Sequence, residues 1–190
     1  PGIGPALYVT DTHVQMLVNT DVERFLAAVE AEDYETALDE WPKADGSTGR
    51  HSFLRSVEPP TTEYDDWLAA TRLQYAQLLE DALLALAAQH ERQGQPDLAV
   101  DAYRELVQID HLNEVAHLGI MRAELARGNA AAGLDQFSSL VRVLRTEFGG
   151  AVEPLPETEK LAEALRTQRQ AQGQEAGVGA PVRPASTLQA

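Results

Sequence analysis

The sequence has no cysteine among its 190 residues. Disulfides and thiolate metal sites are thereby excluded, in keeping with a reducing cytosol. Positive charge is also scarce: Lys and Arg number 15 against 30 Asp and Glu, a net charge of -15. Such a chain is repelled by phosphate backbones and anionic lipid, which disfavours direct binding to nucleic acid or membrane. No apolar run approaches the roughly 20 residues that span a bilayer, and no basic segment followed by an apolar one opens the chain. At this length one substantial core with appendages can form without a second domain. The chain opens Pro1-Gly2 and closes Leu188-Gln189-Ala190, and both ends are expected to be cuts within something longer.

Motifs for chemistry are missing too. The five histidines are His13, His51, His90, His111 and His117. His90-Glu91 is not followed by a second histidine four residues on, so the zinc-protease pattern fails. His111 and His117 are six apart, which puts them on different sides of a helix. All five read as structural or exposed. Gly46-Ser47-Thr48-Gly49-Arg50 has the composition of a phosphate loop but lacks the spaced Gly-Lys-Ser/Thr and follows no strand. Carboxylates are too abundant for any pair to be singled out. The sequence therefore assigns no catalytic, cofactor, metal or partner-binding residue, and a non-enzymatic role without cofactors is expected.

What is present is a repeat. Gly94 recurs as Gly128, Ala99 as Gly133, Tyr103 as Phe137, Leu106 as Leu140 and Val107 as Val141, each 34 residues on. That spacing is the length of a helix-turn-helix unit of the tetratricopeptide kind. Glycine at 94 and 128 falls where a first helix stops and the chain turns. The small residue at 99 and 133 lets the second helix approach closely, and the aromatic one turn later fills the gap on the same face. Two amphipathic hairpins that agree by chance are the plain alternative.

In chain order, residues 7–18 carry β-branched and aromatic residues around Thr10-Asp11-Thr12 and favour a short hairpin. Asp21 can cap a helix to about Glu30, with Val22, Phe25, Leu26 and Val29 at helical spacing. A second helix runs from Tyr34 to Trp41, where Ala37 and Trp41 repeat the small-then-aromatic spacing, and Pro42 ends it. Residues 43–61 read as a long loop. Residues 21–66 hold 13 acidic and 4 basic residues, a balance of -9, as a solvated face or a docking surface for a basic partner. Thr62 with Asp65 has the form of a capping box for a long helix over Glu63 to Gln93, with Leu79, Leu83 and Leu86 as its stripe and Ala82 and Ala87 beside them. Pro96 opens the next helix, which buries Ala99, Ala102, Tyr103 and Leu106. Asn113 caps a fifth helix with two apolar stripes, Val115, Leu118, Met121, Leu125 and Ala116, Ile120, Ala123, as stacking on both sides requires. Leu134, Phe137, Val141, Leu144 and Phe148 line a sixth helix that Gly149-Gly150 ends. A last helix runs to about Ala171 on Leu161 and Leu165, and residues 173–190 have the composition of a flexible linker.

From Asp21 to about Leu165 the chain resembles the bacterial transcriptional activator domain of regulators of the Streptomyces antibiotic regulatory protein (SARP) type. The matching residues are Asp21-Val22-Glu23-Arg24-Phe25, Tyr34-Glu35-Thr36-Ala37-Leu38 with Trp41, Gly94 with Ala99 and Tyr103, and Asn113-Glu114 with Met121. The most specific segment comes last: Glu147-Phe148-Gly149, then Val152-Glu153-Pro154-Leu155-Pro156-Glu157-Thr158. Gly150-Ala151 lengthens that turn, His111 stands where the family usually has proline, and Pro42 departs from the glycine region after the tryptophan. The resemblance implies a helical regulatory domain directly after a winged helix-turn-helix, with residues 7–18 as that domain's closing hairpin.

The expected fold is all-α, a tetratricopeptide-like stack of helical hairpins (an α-α superhelix) with a short N-terminal β-hairpin. The expected divisions are a closing hairpin over 1–20, the activator domain over 21–172 and a linker over 173–190. The expected function is a cytoplasmic regulatory and protein-interaction domain that supports transcription through dimerisation or contact with RNA polymerase. DNA would be reached only through the upstream domain, and no membrane is involved. A tetratricopeptide-type adaptor that holds a peptide is the alternative, and an α-helical enzyme a third reading. The repeat register predicts that Gly133→Leu costs about 1–3 kcal/mol, and that Gly133→Ala gains up to about 1 kcal/mol if a methyl has room, as thermal melts would read.

Overall fold

The structure, a computed structural model, describes residues 7–9, 14–16, 20–41, 54 and 61–178, with side chains over 20–41, 54 and 61–174. The chain divides into two units, Pro1–Leu86 and Ala87–Ala190. Over residues 7–18 the description is limited to two backbone pieces, β1 (Leu7–Val9) and β2 (Val14–Met16), paired antiparallel with Tyr8 opposite Gln15. So short a ladder adds little stability by itself. The fold is helical.

In the first unit, α1 spans Asp21–Glu30. Its cap is Thr20 and not Asp21. Thr20 Oγ1 accepts from the Glu23 N–H at 3.1 Å while Glu23 Oε2 accepts from the Thr20 N–H at 2.9 Å. A hydroxyl with a carboxylate three residues on satisfies two helix-end donors at once, and Asp21, as the first helical residue, adds negative charge where the helix dipole favours it. Phe25 and Ala28 face the core, while Leu26 is exposed. α2 is Tyr34–Glu40, capped by Asp33, whose Oδ1 accepts from Thr36 N at 3.2 Å. Trp41 lies just beyond it in extended conformation and is buried, its ring 4.9 Å from Phe25 edge-on and 6.0 Å from Tyr75.

α3 covers Thr62–Arg92. Its cap is Thr61, one residue before the expected Thr62: Thr61 Oγ1 accepts from Tyr64 N at 3.2 Å. Leu68, Leu79, Ala82, Leu83, Leu86 and Ala87 are buried along it, as the stripe predicts for all but the first. Most of the expected loop over 43–61, with Gly46–Arg50 and His51, lies outside the described residues.

The second unit opens with the end of α3, followed by α4 (Pro96–Ile109), α5 (Glu114–Ala126), α6 (Ala130–Phe148) and α7 (Pro156–Val178). α4 packs on α5, α5 on α6, α6 on α7, and α7 also on α5. The turns repeat bond for bond. Gly94, at φ +70°, donates to Glu91 O while Gln95 N donates to His90 O; Gly128, at φ +75°, donates to Leu125 O while Asn129 N donates to Glu124 O. Both glycines sit in the left-handed region that other L residues enter at a cost. The 34-residue period is therefore a period of the backbone as well as of the sequence. Asn113 caps α5 as expected, its Oδ1 accepting from Ala116 N at 3.1 Å.

The repeat's small position at 133 is a close approach, but its nearest neighbour is on α7. Gly133 faces α7: a Cβ added there would lie 2.7 and 2.8 Å from the two methyls of Leu165, which is fully buried with Met121, Ala130 and Ala162. The condition on which Gly133→Ala would gain stability, room for a methyl, is not met unless Leu165 shifts. The tightest contact is at Gly119, mid-α5, where an added Cβ would land in the Tyr103 ring of α4. Glycine inside a helix costs about 1 kcal/mol relative to alanine, so its place here is set by the ring that covers it.

Three further expectations change. Val115 and Phe148 are exposed rather than lining the core, because α5 begins and α6 ends past the point where neighbours cover them. Of the two α5 stripes, Ala116, Ile120, Met121 and Ala123 are buried, together with His117 and Glu124. α7 continues to Val178, past Ala171 and into the expected linker. Gln172, Gln174 and Glu175 are adequate helix formers, and one exposed glycine at 173 weakens a helix without ending it. Residues 179–190 lie outside the description.

Gly133→Ala is therefore expected to destabilise by about 1–2 kcal/mol, the cost of overpacking against Leu165, and Gly119→Ala by at least as much. Urea melts check both. Combining Gly133→Ala with Leu165→Val should cost less than the sum of the two, since the shorter side chain yields the space the methyl needs.

Candidate functional site

Among the described residues, the buried polar side chains of the second unit are engaged with neighbouring helices and turns. His117 on α5 is buried; its Nε2 donates to the His111 carbonyl at 3.1 Å, and the Gln136 amide of α6 lies 2.6 Å from Nδ1. That pairing suits the neutral ring with its proton on Nε2. Burial pushes the His117 pKa down, against the opposing pull of the His111 carbonyl, Glu114 and Asp110. His90, 34 residues before Glu124, is also buried and meets Gln95 Oε1 at 3.0 Å across the α3–α4 turn. His111 is exposed, 3.5 Å from Glu147. His13 and His51 lie outside the described residues. Among the described residues no group of three His, Cys, Asp or Glu could hold a metal ion.

Glu124 is a buried carboxylate that periodicity gave no reason to notice. Its Oε1 lies 3.1 Å from Arg127 Nη1 and 3.6 Å from Arg104 Nη2 of α4, and Arg127 Nη2 reaches Asp97 Oδ1 at 2.8 Å. The other oxygen, Oε2, is buried without a partner. Two arginines hold the charge at the seam of α4 and α5, as a buried carboxylate requires.

α7 is fastened to α5 at both ends. At the N-terminal end, Glu114 Oε1 accepts from Leu155 N at 2.6 Å and from Thr158 Oγ1 at 2.7 Å. At the other, Gln168 Nε2 donates at 3.4 Å to Leu125 O, which the Gly128 N–H also reaches, and Gln172 Nε2 donates to Gly128 O at 2.7 Å in the turn after α5. Residues Val152–Thr158, the most specific segment of the sequence, thus deliver a backbone donor and a buried hydroxyl to one carboxylate.

Among the described residues of this unit, two surface concavities are well formed. The larger, about 460 Å³, is lined by Glu91, Gly94, Pro96, Arg122, Ala123 and Ala126. Arg122 Nη2 lies 3.3 and 3.4 Å from the Glu91 oxygens and 3.4 Å from the Tyr103 hydroxyl. Burial and Glu91 push the Tyr103 pKa up, with Arg122 opposing. The smaller, about 340 Å³, lies against Leu134, Arg166, Arg169 and Gln170, where Arg166 sits 5.6 Å over the Phe137 ring. Neither brings a nucleophile and a base together.

The bacterial transcriptional activator domain family matches residues 20–166. The chain belongs to that family. The match runs from the Thr20 cap into α7, just past the Leu165 that packs on Gly133, while α7 itself continues to Val178. This places the chain among the domains of transcriptional activator-type regulators. No curated protein and no solved structure matches it. Among the described residues no helix of the domain is long and apolar enough to cross a membrane.

Glu114→Ala should loosen α7 by about 1.5–3 kcal/mol, the usual worth of hydrogen bonds to a charged group, and hydrogen exchange should show the loss concentrated in α7. The lowered His117 pKa also has a pH consequence. The unfolded state binds the proton more readily, so His117's contribution is complete above about pH 6.5 and is lost as pH falls toward the folded value. Urea midpoints should fall between neutral and mildly acidic pH, and His117→Gln should flatten that fall.

Proposed function

We propose that this domain is the protein-contact half of a cytoplasmic regulator of the SARP type, without enzymatic activity or cofactor. It would support transcription by dimerisation or by contact with RNA polymerase. The observation that carries this reading is the family match over residues 20–166. Residues 7–18 are read as the closing hairpin of an upstream winged helix-turn-helix, the part that would bind DNA. The net charge of -15 supports that division of labour, since it opposes the phosphate contacts that supply most non-specific affinity. The shared turn geometry at Gly94 and Gly128 supports a tetratricopeptide-like stack, whose extended surfaces suit protein partners. A second reading, an adaptor that holds a peptide, draws on the concavity between Glu91, Pro96 and Arg122.

The domain alone is expected not to shift promoter DNA in a low-salt mobility assay; tight binding there would refute the division of labour. In the regulator that carries it, deleting residues 21–171 should abolish reporter activation while promoter occupancy is at least partly retained. Unchanged activation would leave the adaptor reading ahead.

A further inference from the structure

α5 begins, α6 ends and α7 begins at the same end of the second unit, joined there by the bonds from Glu114 to Leu155 and Thr158 and by the His111–Glu147 pair. Four apolar side chains stand out around this junction: Val115 54%, Phe148 45%, Val152 43% and Leu155 53% exposed. Single exposed apolar residues are ordinary, but four on neighbouring chain ends form a patch of the sort that marks an interface. Its charge is one-sided. Residues 110–115 and 147–159 contain six carboxylates, Asp110, Glu114, Glu147, Glu153, Glu157 and Glu159, and no Lys or Arg.

We propose that this apolar, acid-rimmed junction docks a basic segment of another protein, one that presents apolar anchors flanked by Lys or Arg. The patch supplies the desolvated centre and the carboxylates the rim, which is how protein interfaces divide burial from steering. A second copy is a poor occupant. A twofold contact sets the same patch against itself and would bring six carboxylates onto six. The net charge of -15 adds repulsion between copies at longer range. The inference rests on the protein-contact role proposed above and names the surface that would perform it.

The test uses exposed side chains; Leu155 joins the α7 fastening only through its backbone N–H, which a serine there keeps. Phe148→Ser/Leu155→Ser removes two anchors and Glu147→Lys/Glu153→Lys reverses the rim; Asp101→Lys/Asp135→Lys makes the same change of net charge elsewhere. Thermal melts of each establish folding. The probe is a blocked amphipathic helical peptide of Leu and Lys, with its Leu and Glu counterpart. The Lys peptide should bind, weaken at least about tenfold with either patch variant and little with the control, and the Glu peptide should not bind. In the parent regulator both patch variants should lose activation with promoter occupancy unchanged. Equal peptide binding by all variants overturns the proposal. So does sedimentation showing a dimer that the Phe148/Leu155 variant dissolves, which would make a second copy the occupant. If deletion of residues 21–171 abolishes activation and the patch variants keep it, the surface is wrong and the domain's role stands; if the deletion changes nothing, the role falls and the proposal with it.

Discussion

Two absent side chains set the spacing of the second unit. The Tyr103 ring of α4 occupies the space a Cβ would take at Gly119 of α5, and the Leu165 methyls of α7 occupy it at Gly133 of α6. Each contact lets a large buried group reach the backbone of the next helix. Helices in such contact lie closer than two full side chains would permit, so the interfaces on both sides depend on these positions. The alternation of a small residue on one helix with a bulky one on its neighbour is what turns four amphipathic helices into an ordered stack.

The packed helices α5 and α6 leave an apolar face, which is closed by α7. One face of it carries Thr158, Ala162 and Leu165 into the core, while Glu157, Glu163, Arg166 and Arg169 remain outside. A terminal helix with a polar outer surface closes an apolar face that would otherwise invite another chain. Glu114 ties this closure to the first turn of α5, and Gln168 and Gln172 tie it to the last. The specific Val152–Thr158 segment is thus explained by packing: prolines 154 and 156 frame the entry to the helix, and buried Thr158 brings its hydroxyl to the half-buried Glu114 carboxylate.

The polar interior follows the same economy of purpose. His117, Glu124 and Gln168 are committed to joining helices, and none is arranged with a second group for chemistry. Side chains placed this way fix the helices' register, and the lowered pKa of His117 makes stability sensitive to acid.

The sequence by itself determined the helical class, the 34-residue register, the glycine turns at 94 and 128 and the family, because each is written in local spacing and residue type. Helix ends were legible to within a residue or two: Thr20 and Thr61 cap where Asp21 and Thr62 were expected, since neighbouring residues of similar chemistry compete for one cap and only backbone geometry chooses between them. Tertiary structure alone decided which helix each small residue meets. Gly133 reads as the contact within its own hairpin, yet the side chain that fills it comes from Leu165, 32 positions on, and Gly119 carried no periodic partner at all. The same holds for Glu114 with Thr158, for buried Glu124, and for Val115 and Phe148 standing in solvent. Periodicity says which face of a helix is apolar; what covers that face depends on the packing of chain segments far apart in sequence.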